Sequence, residues 1–262
     1  MTDSLPGALR AFAATPQVLV ALDFDGCLAP FVTDPADARP LPEASEALRR
    51  LADCDGVQLA LVSGRPVQQL RDLADPPPGT WLVGSHGAET AELDEAGELH
   101  RVPFTLADDE ASLLAEVTAA VGKIAEAYPG AWVEHKPAAA VLHTRALAED
   151  RAEEALAEAY RGPGGQPGVH TMRGNQVVEI AVVDVNKGMA IEDLRERLGH
   201  VAVLYAGDDV TDETALAVLG EDDLGIKVGA AETVARHRVA DEQAMAGALA
   251  DLASWRRSQQ QG

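Results

Sequence analysis

The 262 residues are 47% hydrophobic and carry 43 Asp and Glu against 21 Lys and Arg, a formal net charge of -22. That field disfavours nucleic acid and anionic membrane as partners, because both bind basic surfaces that release counterions. No apolar run is long enough to span a bilayer, and the segment MTDSLPGALRAFAAT has no basic start followed by an apolar signal core.

A cytoplasmic, monomeric protein acting on a small molecule is therefore expected. Cys27 and Cys54 are too few for a disulfide framework and match no zinc spacing. A phosphorylated ligand would also be repelled, so a phosphate site here must concentrate positive charge locally, with basic side chains or a metal cation.

In chain order, QVLVALDFD reads as a buried strand, residues 42–52 as a helix, VQLALVS as a second strand, the segment after Pro66 as a helix and TWLVGSHG as a third strand. Near-continuous apolar strands alternating with amphipathic helices predict an α/β fold with a parallel sheet covered on both faces, and ligands at the carboxyl ends of the strands. After Gly87 the rhythm changes. AETAELDEAGELHRV reads as a hairpin; a helix over about 106–128, strands in AWVEHK and AAAVLHTR, a helix over about 147–160, and VHTMRGNQVVEIAV follow. That αββαββ order predicts a small antiparallel sheet with two helices, inserted as residues 104–183 between core segments 1–103 and 184–262. From Lys187 the βα rhythm resumes through HVAVLYAGDD and LGIKVG to a last helix ending near Trp255, with RRSQQQG frayed.

The chemistry-bearing residues fall at predicted strand ends. Asp23 and Asp25 flank the end of the first strand, and extended backbone would point both to one face; a structural Asp-Gly turn has the same sequence. Ser63-Gly64-Arg65 ends the second strand, where a hydroxyl and following amides at a helix N-terminus form an anion cradle or an ordinary cap. Asp208, Asp209 and Asp212 repel one another unless a cation sits among them, although Asp212 and Glu213 also suit a helix dipole. Lysine stands only at 123, 136, 187 and 227, the other 17 basic residues being arginine. Lys187 in VNKG, and more weakly Lys136 in EHKP, thus read as chosen point charges; a solvated lysine is the alternative.

LDFDGCLAP, LVSGR, NKG and GDDVTD, in that order, resemble the four motifs of the haloacid dehalogenase superfamily. The resemblance implies a Rossmann-like core plus cap. It implies that Asp23 is a nucleophile forming an aspartyl phosphate and Asp25 its acid/base partner. Mg2+ would then sit on Asp23, the Asp25 carbonyl and Asp208, with Asp212 reaching it through water, and Ser63 and Lys187 would neutralise the transferring phosphoryl oxygens. Cys27 departs from the Thr or Val usual at its position and donates a hydrogen bond only weakly, which implies a looser Asp23.

GSHGAE, EHKPAAAVLHTR, GNQVVEI and the insert's αββαββ order resemble the trehalose-6-phosphate phosphatases. This implies a phosphorylated disaccharide as substrate, sugar or phosphate contacts from Gly64, Arg65, His86, Glu134, Lys136, His143, Arg145, Asn175 and Glu179, and a functional link to a trehalose-6-phosphate synthase. Cross-strand surface pairing is the bland alternative for Glu134 and Arg145, as a partly buried sheet histidine is for His143. Other sugar phosphatases, for sucrose phosphate or a glycosyl phosphoglycerate, a phosphomutase, and a catalytically retired sugar-binding domain are the competing functions.

Overall fold

The computed structural model describes residues 4–260. They form two compact units, one running to Pro103 and resuming at Asn186, the other spanning Phe104–Val185.

The first unit contains helix α1 (Leu5–Ala13), strand β1 (Val18–Asp23), α2 (Pro42–Ala52), β2 (Val57–Val62), α3 (Val67–Ala74), β3 (Trp81–Gly84) and the hairpin β4 (Glu89–Leu93) and β5 (Leu99–Val102). The second contains α4 (Asp108–Ala127), β6 (Trp132–Lys136), β7 (Ala139–His143), α5 (Glu149–Arg161), β8 (His170–Gly174) and β9 (Val177–Ala181). The first unit then resumes with α6 (Lys187–Arg197), β10 (Ala202–Gly207), α7 (Glu213–Ala217), β11 (Leu224–Val228), β12 (His237–Val239) and α8 (Glu242–Gln260).

The eight-stranded sheet has the order β12-β11-β10-β1-β2-β3-β4-β5. β12 through β3 are parallel, and the hairpin is added antiparallel at the β3 edge. Central β1 is buried on both faces because its alternate residues serve two cores. Val18, Val20 and Leu22 pack with Leu9, Phe12, Leu48, Leu51, Leu249 and Leu252 of α1, α2 and α8; Leu19 and Ala21 pack with Ile191, Leu194 and Leu216 of α6 and α7. Helix α2 starts on Pro42, whose missing N–H costs nothing there, and buries Ala44, Ala47, Leu48 and Leu51 at helical spacing.

In the second unit the antiparallel sheet runs β6-β7-β9-β8. One face, with Ala140, Leu142, Val178 and Ile180, packs on Val117, Val121 and Ile124 of α4 and Ala155, Leu156 and Ala159 of α5. No described helix is long and apolar enough to cross a membrane.

The sequence expectation of a frayed RRSQQQG is corrected: α8 continues to Gln260, with residues 261–262 lying outside the described range. The cause is Arg256, only 5% exposed, whose guanidinium donates to the carbonyls of Ala13, Thr15, Pro16 and Asp55. One cation thus satisfies the loop after α1 and the turn before β2. Arg256→Leu strands those carbonyls, and we expect it to cost about 3 kcal/mol or more, read as a lower urea midpoint; a midpoint equal to the parent's would show that the network is dispensable. Helix α1 and the three-residue β12 escaped the sequence reading.

Candidate active site

Strand β1 ends at Asp23, so the pair of aspartates is not presented by one extended segment as the sequence pattern implied. The chain turns at once: Leu28 and Ala29 donate to the Phe24 carbonyl, and Gly26 donates to Ala29 at 2.7 Å. Gly26 has φ +78°, and a Cβ there would strike the Asp208 carboxylate. Glycine therefore serves both the left-handed turn and the approach of the acidic loop. Cys27 closes the turn from beneath, its thiol reaching the Ala206 carbonyl of β10 at 3.5 Å. Burial, then the charges of Asp23 and Asp212, raise its pKa well above the ordinary value, which makes it an inert packing group.

Asp25 lies in the turn, partly exposed, and Arg65 grips it in a fork: Nε to Oδ2 at 2.6 Å and Nη2 to Oδ1 at 2.7 Å. Arg65 also donates to the Pro35 carbonyl. The ordinary-cap alternative for Ser63 is corrected: no side chain caps α3. Helix α3 begins at Val67, with Pro66 as its cap, because proline disfavours a helical residue before it. Ser63 is buried in the preceding turn, its Oγ accepting from the Arg65 amide at 3.2 Å. The ring of His86 occupies the space a Gly64 side chain would need, and Ser85 and His86 both hold left-handed backbone, φ 51° and 58°, a conformation that side chains resist.

Lys187 is the first residue of α6, positioned by Asn186, whose side chain caps the helix at the Met189 amide. It is 3% exposed, with Nζ 2.7 Å from Asp23 Oδ1 and 2.6 Å from Asp212 Oδ1. Burial alone would lower its pKa, but the two carboxylates outweigh burial and hold it above the ordinary value. Asp212 does not cap α7; its carboxylate turns inward to Lys187, to the Tyr205 hydroxyl at 2.6 Å and to the Asp209 amide at 2.9 Å. A Cβ on Gly207 would strike that carboxylate. Asp209, by contrast, is exposed and bonds the Val210 amide.

Three carboxylates against one ammonium leave this centre short of positive charge. Burial, then Asp212 and Asp208, push Asp23 up to about 8 against the pull of Lys187. Burial and the charges of Asp212 and Asp209 push Asp208 up to about 6. One oxygen from each of Asp23, Asp208 and Asp212 lies within 4.8 Å of the others, and buried Asp208 Oδ1 has no hydrogen-bond partner. An all-oxygen acidic donor set with an orphaned carboxylate oxygen fits a hard divalent cation. Asp208→Asn is expected to stabilise the cation-free fold by about 1 kcal/mol while raising the cation concentration needed for half-maximal activity; denaturation in chelator beside a cation titration checks both.

Sequence reasoning missed Tyr205 and the brace behind the acidic loop. Lys227, 1% exposed, donates to the Asp209 carbonyl at 3.0 Å and to Glu213 at 2.8 Å. Glu213 also accepts from Thr233 and the Val234 amide, so it serves as a tie between loops, beyond any effect on the helix dipole. The scarcity of lysine was the available signal for Lys227; a tyrosine inside the apolar run VAVLYAG was the signal for Tyr205. A cleft of about 600 Å³ is lined by Asp23, Asp25, Ser63, Gly64, Arg65, His86, Lys187 and Asp208.

In the second unit, Glu134, Lys136, His143 and Glu179 share the sheet face away from α4 and α5. Lys136 bonds Glu179 at 2.7 Å, and His143 Nε2 lies 2.8 Å from Glu134. Glu134 thus pairs with His143, and not with Arg145 as the cross-strand alternative supposed. Two residues expected on strands are placed differently. Arg145 is exposed beyond the end of β7, and Asn175 occupies the two-residue turn between β8 and β9, where Gln176 takes φ 58°; tight hairpins demand such left-handed turn residues.

A parallel sheet that brings Asp23, Ser63 and an acidic loop to neighbouring strand ends, against Lys187 at the start of α6, with an α/β unit inserted after the hairpin, defines a haloacid dehalogenase-type core with a cap. The chain belongs to the trehalose-phosphatase family, whose model matches residues 21–247. It is 33% identical over 241 residues to a trehalose-phosphate phosphatase of Mycobacterium leprae, covering 84% of this chain and 53% of that one. It is 34% identical over 240 residues to an uncharacterized glycosyl hydrolase of Mycobacterium tuberculosis, covering 86% of this chain and 17% of that one. The chain therefore spans about half the length of the former relative and a far smaller share of the latter. Among solved structures, the trehalose-6-phosphate phosphatase of Aspergillus fumigatus superposes with a TM-score of 0.70 at 23% identity, over 94% of this chain and 96% of that one. At that identity the likeness concerns the fold.

Proposed function

We propose that the protein hydrolyses trehalose 6-phosphate to trehalose and phosphate, with Asp23 carrying the phosphoryl group and residues 104–183 acting as the sugar-reading cap. The observation that carries this reading is the Asp23 carboxylate at the end of β1, held 2.7 Å from the buried Lys187 ammonium and beside Asp208, in a chain of this family.

An Asp23 carboxylate oxygen attacks phosphorus in line, and the bond from phosphorus to the sugar 6-oxygen breaks. Asp25, protonated, gives its proton to that leaving oxygen. In the second step Asp25 takes a proton from water, the water oxygen bonds to phosphorus, and cleavage of the acyl-phosphate link restores the Asp23 carboxylate and releases phosphate. The Arg65 fork occupies both Asp25 oxygens, so the acid step requires one of those bonds to give way. Ser63 Oγ and Lys187 Nζ stabilise the transferring oxygens.

Asp23, Asp208 and the Asp25 carbonyl would hold Mg2+, with Asp212 behind them, and the bound cation would supply charge that keeps Asp23 ionised and offsets the phosphate's. Glu134, Lys136, His143 and Glu179 pair with sugar hydroxyls. A cytoplasmic synthase making the sugar phosphate is the implied source of substrate.

Steady-state phosphate release with Mg2+ across trehalose 6-phosphate, glucose 6-phosphate and sucrose 6-phosphate tests the assignment. We expect kcat/KM for trehalose 6-phosphate to exceed the others by at least about tenfold, the discrimination that one or two sugar contacts provide. Comparable values across the panel would remove the substrate assignment and leave only the reaction class.

A further inference from the structure

The face carrying Glu134, Lys136, His143 and Glu179 has a further member. Trp132 opens β6, two residues before Glu134 and four before Lys136, so strand alternation sets all three on one side. It pairs in register with His143 of β7. The two rings stack, centroids 3.9 Å apart and planes within 4°, while His143 is fixed from its edge by Glu134 at 2.8 Å. Trp132 nevertheless remains 52% exposed and lies outside the apolar cluster against α4 and α5. An indole whose orientation is set by a neighbouring ring, yet which is half open, has not been placed there to fill a core.

A pyranose ring has an apolar C–H face and a rim of hydroxyls. Its complement is a flat aromatic surface for the face, with carboxylate, ammonium and imidazole groups for the rim. Along β6 the distance from Trp132 to Lys136 is about 13 Å at the usual strand rise, enough for more than one ring. We infer that Trp132, held by His143, is a sugar-stacking platform that determines specificity for a ligand with two hexose rings, one ring resting on the indole and the other among Lys136 and Glu179. This rests on the proposed sugar phosphatase reading and adds to it a residue whose contact is apolar and whose contribution is made in binding.

The test compares Trp132→Ala and Trp132→Phe with the parent on trehalose 6-phosphate, glucose 6-phosphate and acetyl phosphate, which has no sugar ring. We expect Trp132→Ala to raise KM for trehalose 6-phosphate about tenfold with kcat little changed. Trp132→Phe should stay within about threefold of the parent, and acetyl phosphate hydrolysis should be the same in all three. A second readout is intrinsic fluorescence titrated with trehalose, with a saturable change in the parent that is absent from Trp132→Phe, in which the reporting indole is gone. Equal KM values for parent and Trp132→Ala on trehalose 6-phosphate would overturn the platform while leaving the phosphatase reading intact. Failure of the parent to hydrolyse any sugar phosphate would instead overturn that reading. A loss in Trp132→Ala that is equal for acetyl phosphate would mark a folding defect and also count against the platform.

Discussion

Asp23→Asn is expected to lower kcat for trehalose 6-phosphate by roughly 10⁴-fold or more, because in the proposed mechanism it replaces the attacking oxygen with a poor nucleophile and its partners cannot substitute for it. The fold should survive. Asp23 is buried among Asp212 and Asp208, which with burial push its pKa up to about 8, so a neutral amide relieves repulsion even as it loses the attraction of Lys187. A urea midpoint equal to or above the parent's, together with abolished turnover, separates a chemical role from a structural one. Retained turnover would require a different nucleophile.

Lys187→Met carries the second large effect, and its readout is stability as well as rate. The ammonium bonds both Asp23 and Asp212 from a site only 3% exposed. Removing it leaves two buried carboxylates facing each other, and breaking a buried pair of this kind costs about 3–5 kcal/mol. Turnover should fall by about 10²–10³-fold, as when one preorganised charge-stabilising group is lost. Adding Asp23→Asn to the same chain should return part of the lost stability, since one of the stranded charges disappears. A double variant no more stable than Lys187→Met alone would show that the coupling between these residues is weaker than their geometry implies.

The legible part of this molecule was the part written in local order. Strands that end in chemically unusual residues, an insert with its own αββαββ rhythm, and a lysine in a chain that otherwise uses arginine each left a mark over a few neighbouring positions. Asp23, Ser63 and Asp208 could be named because each sits at the end of an apolar run, and parallel topology brings such ends together; Lys187, at the start of α6, was marked by the scarcity of lysine.

What the sequence did not convey depends on contacts between distant segments. Arg256 looks like a tail residue until the loop after α1 and the turn before β2 bring four carbonyls to it. Tyr205 looks like an ordinary core aromatic, and only the fold shows its hydroxyl on Asp212. Arg65 was named for its place beside the cleft, and only the fold shows that it also grips Asp25, forty residues earlier. Trp132 gave no signal of its own, because its significance lies in its register with His143. The helix start at Val67 was legible for a local reason: Pro66 marks it, and only the fold shows Ser63 held in the turn before it.

The identity of the atom that receives the phosphoryl group is the centre of the account, and trapping it is the direct test. Protein mixed with trehalose 6-phosphate labelled in its phosphate, in the presence of Mg2+, is quenched in acid within a turnover, digested and mapped. The expected result is label on the peptide containing Asp23, lost on hydroxylamine treatment as an acyl phosphate should be, and none on the same peptide from Asp23→Asn. Label on any other residue, or phosphate released by Asp23→Asn at the parent's rate, would contradict it.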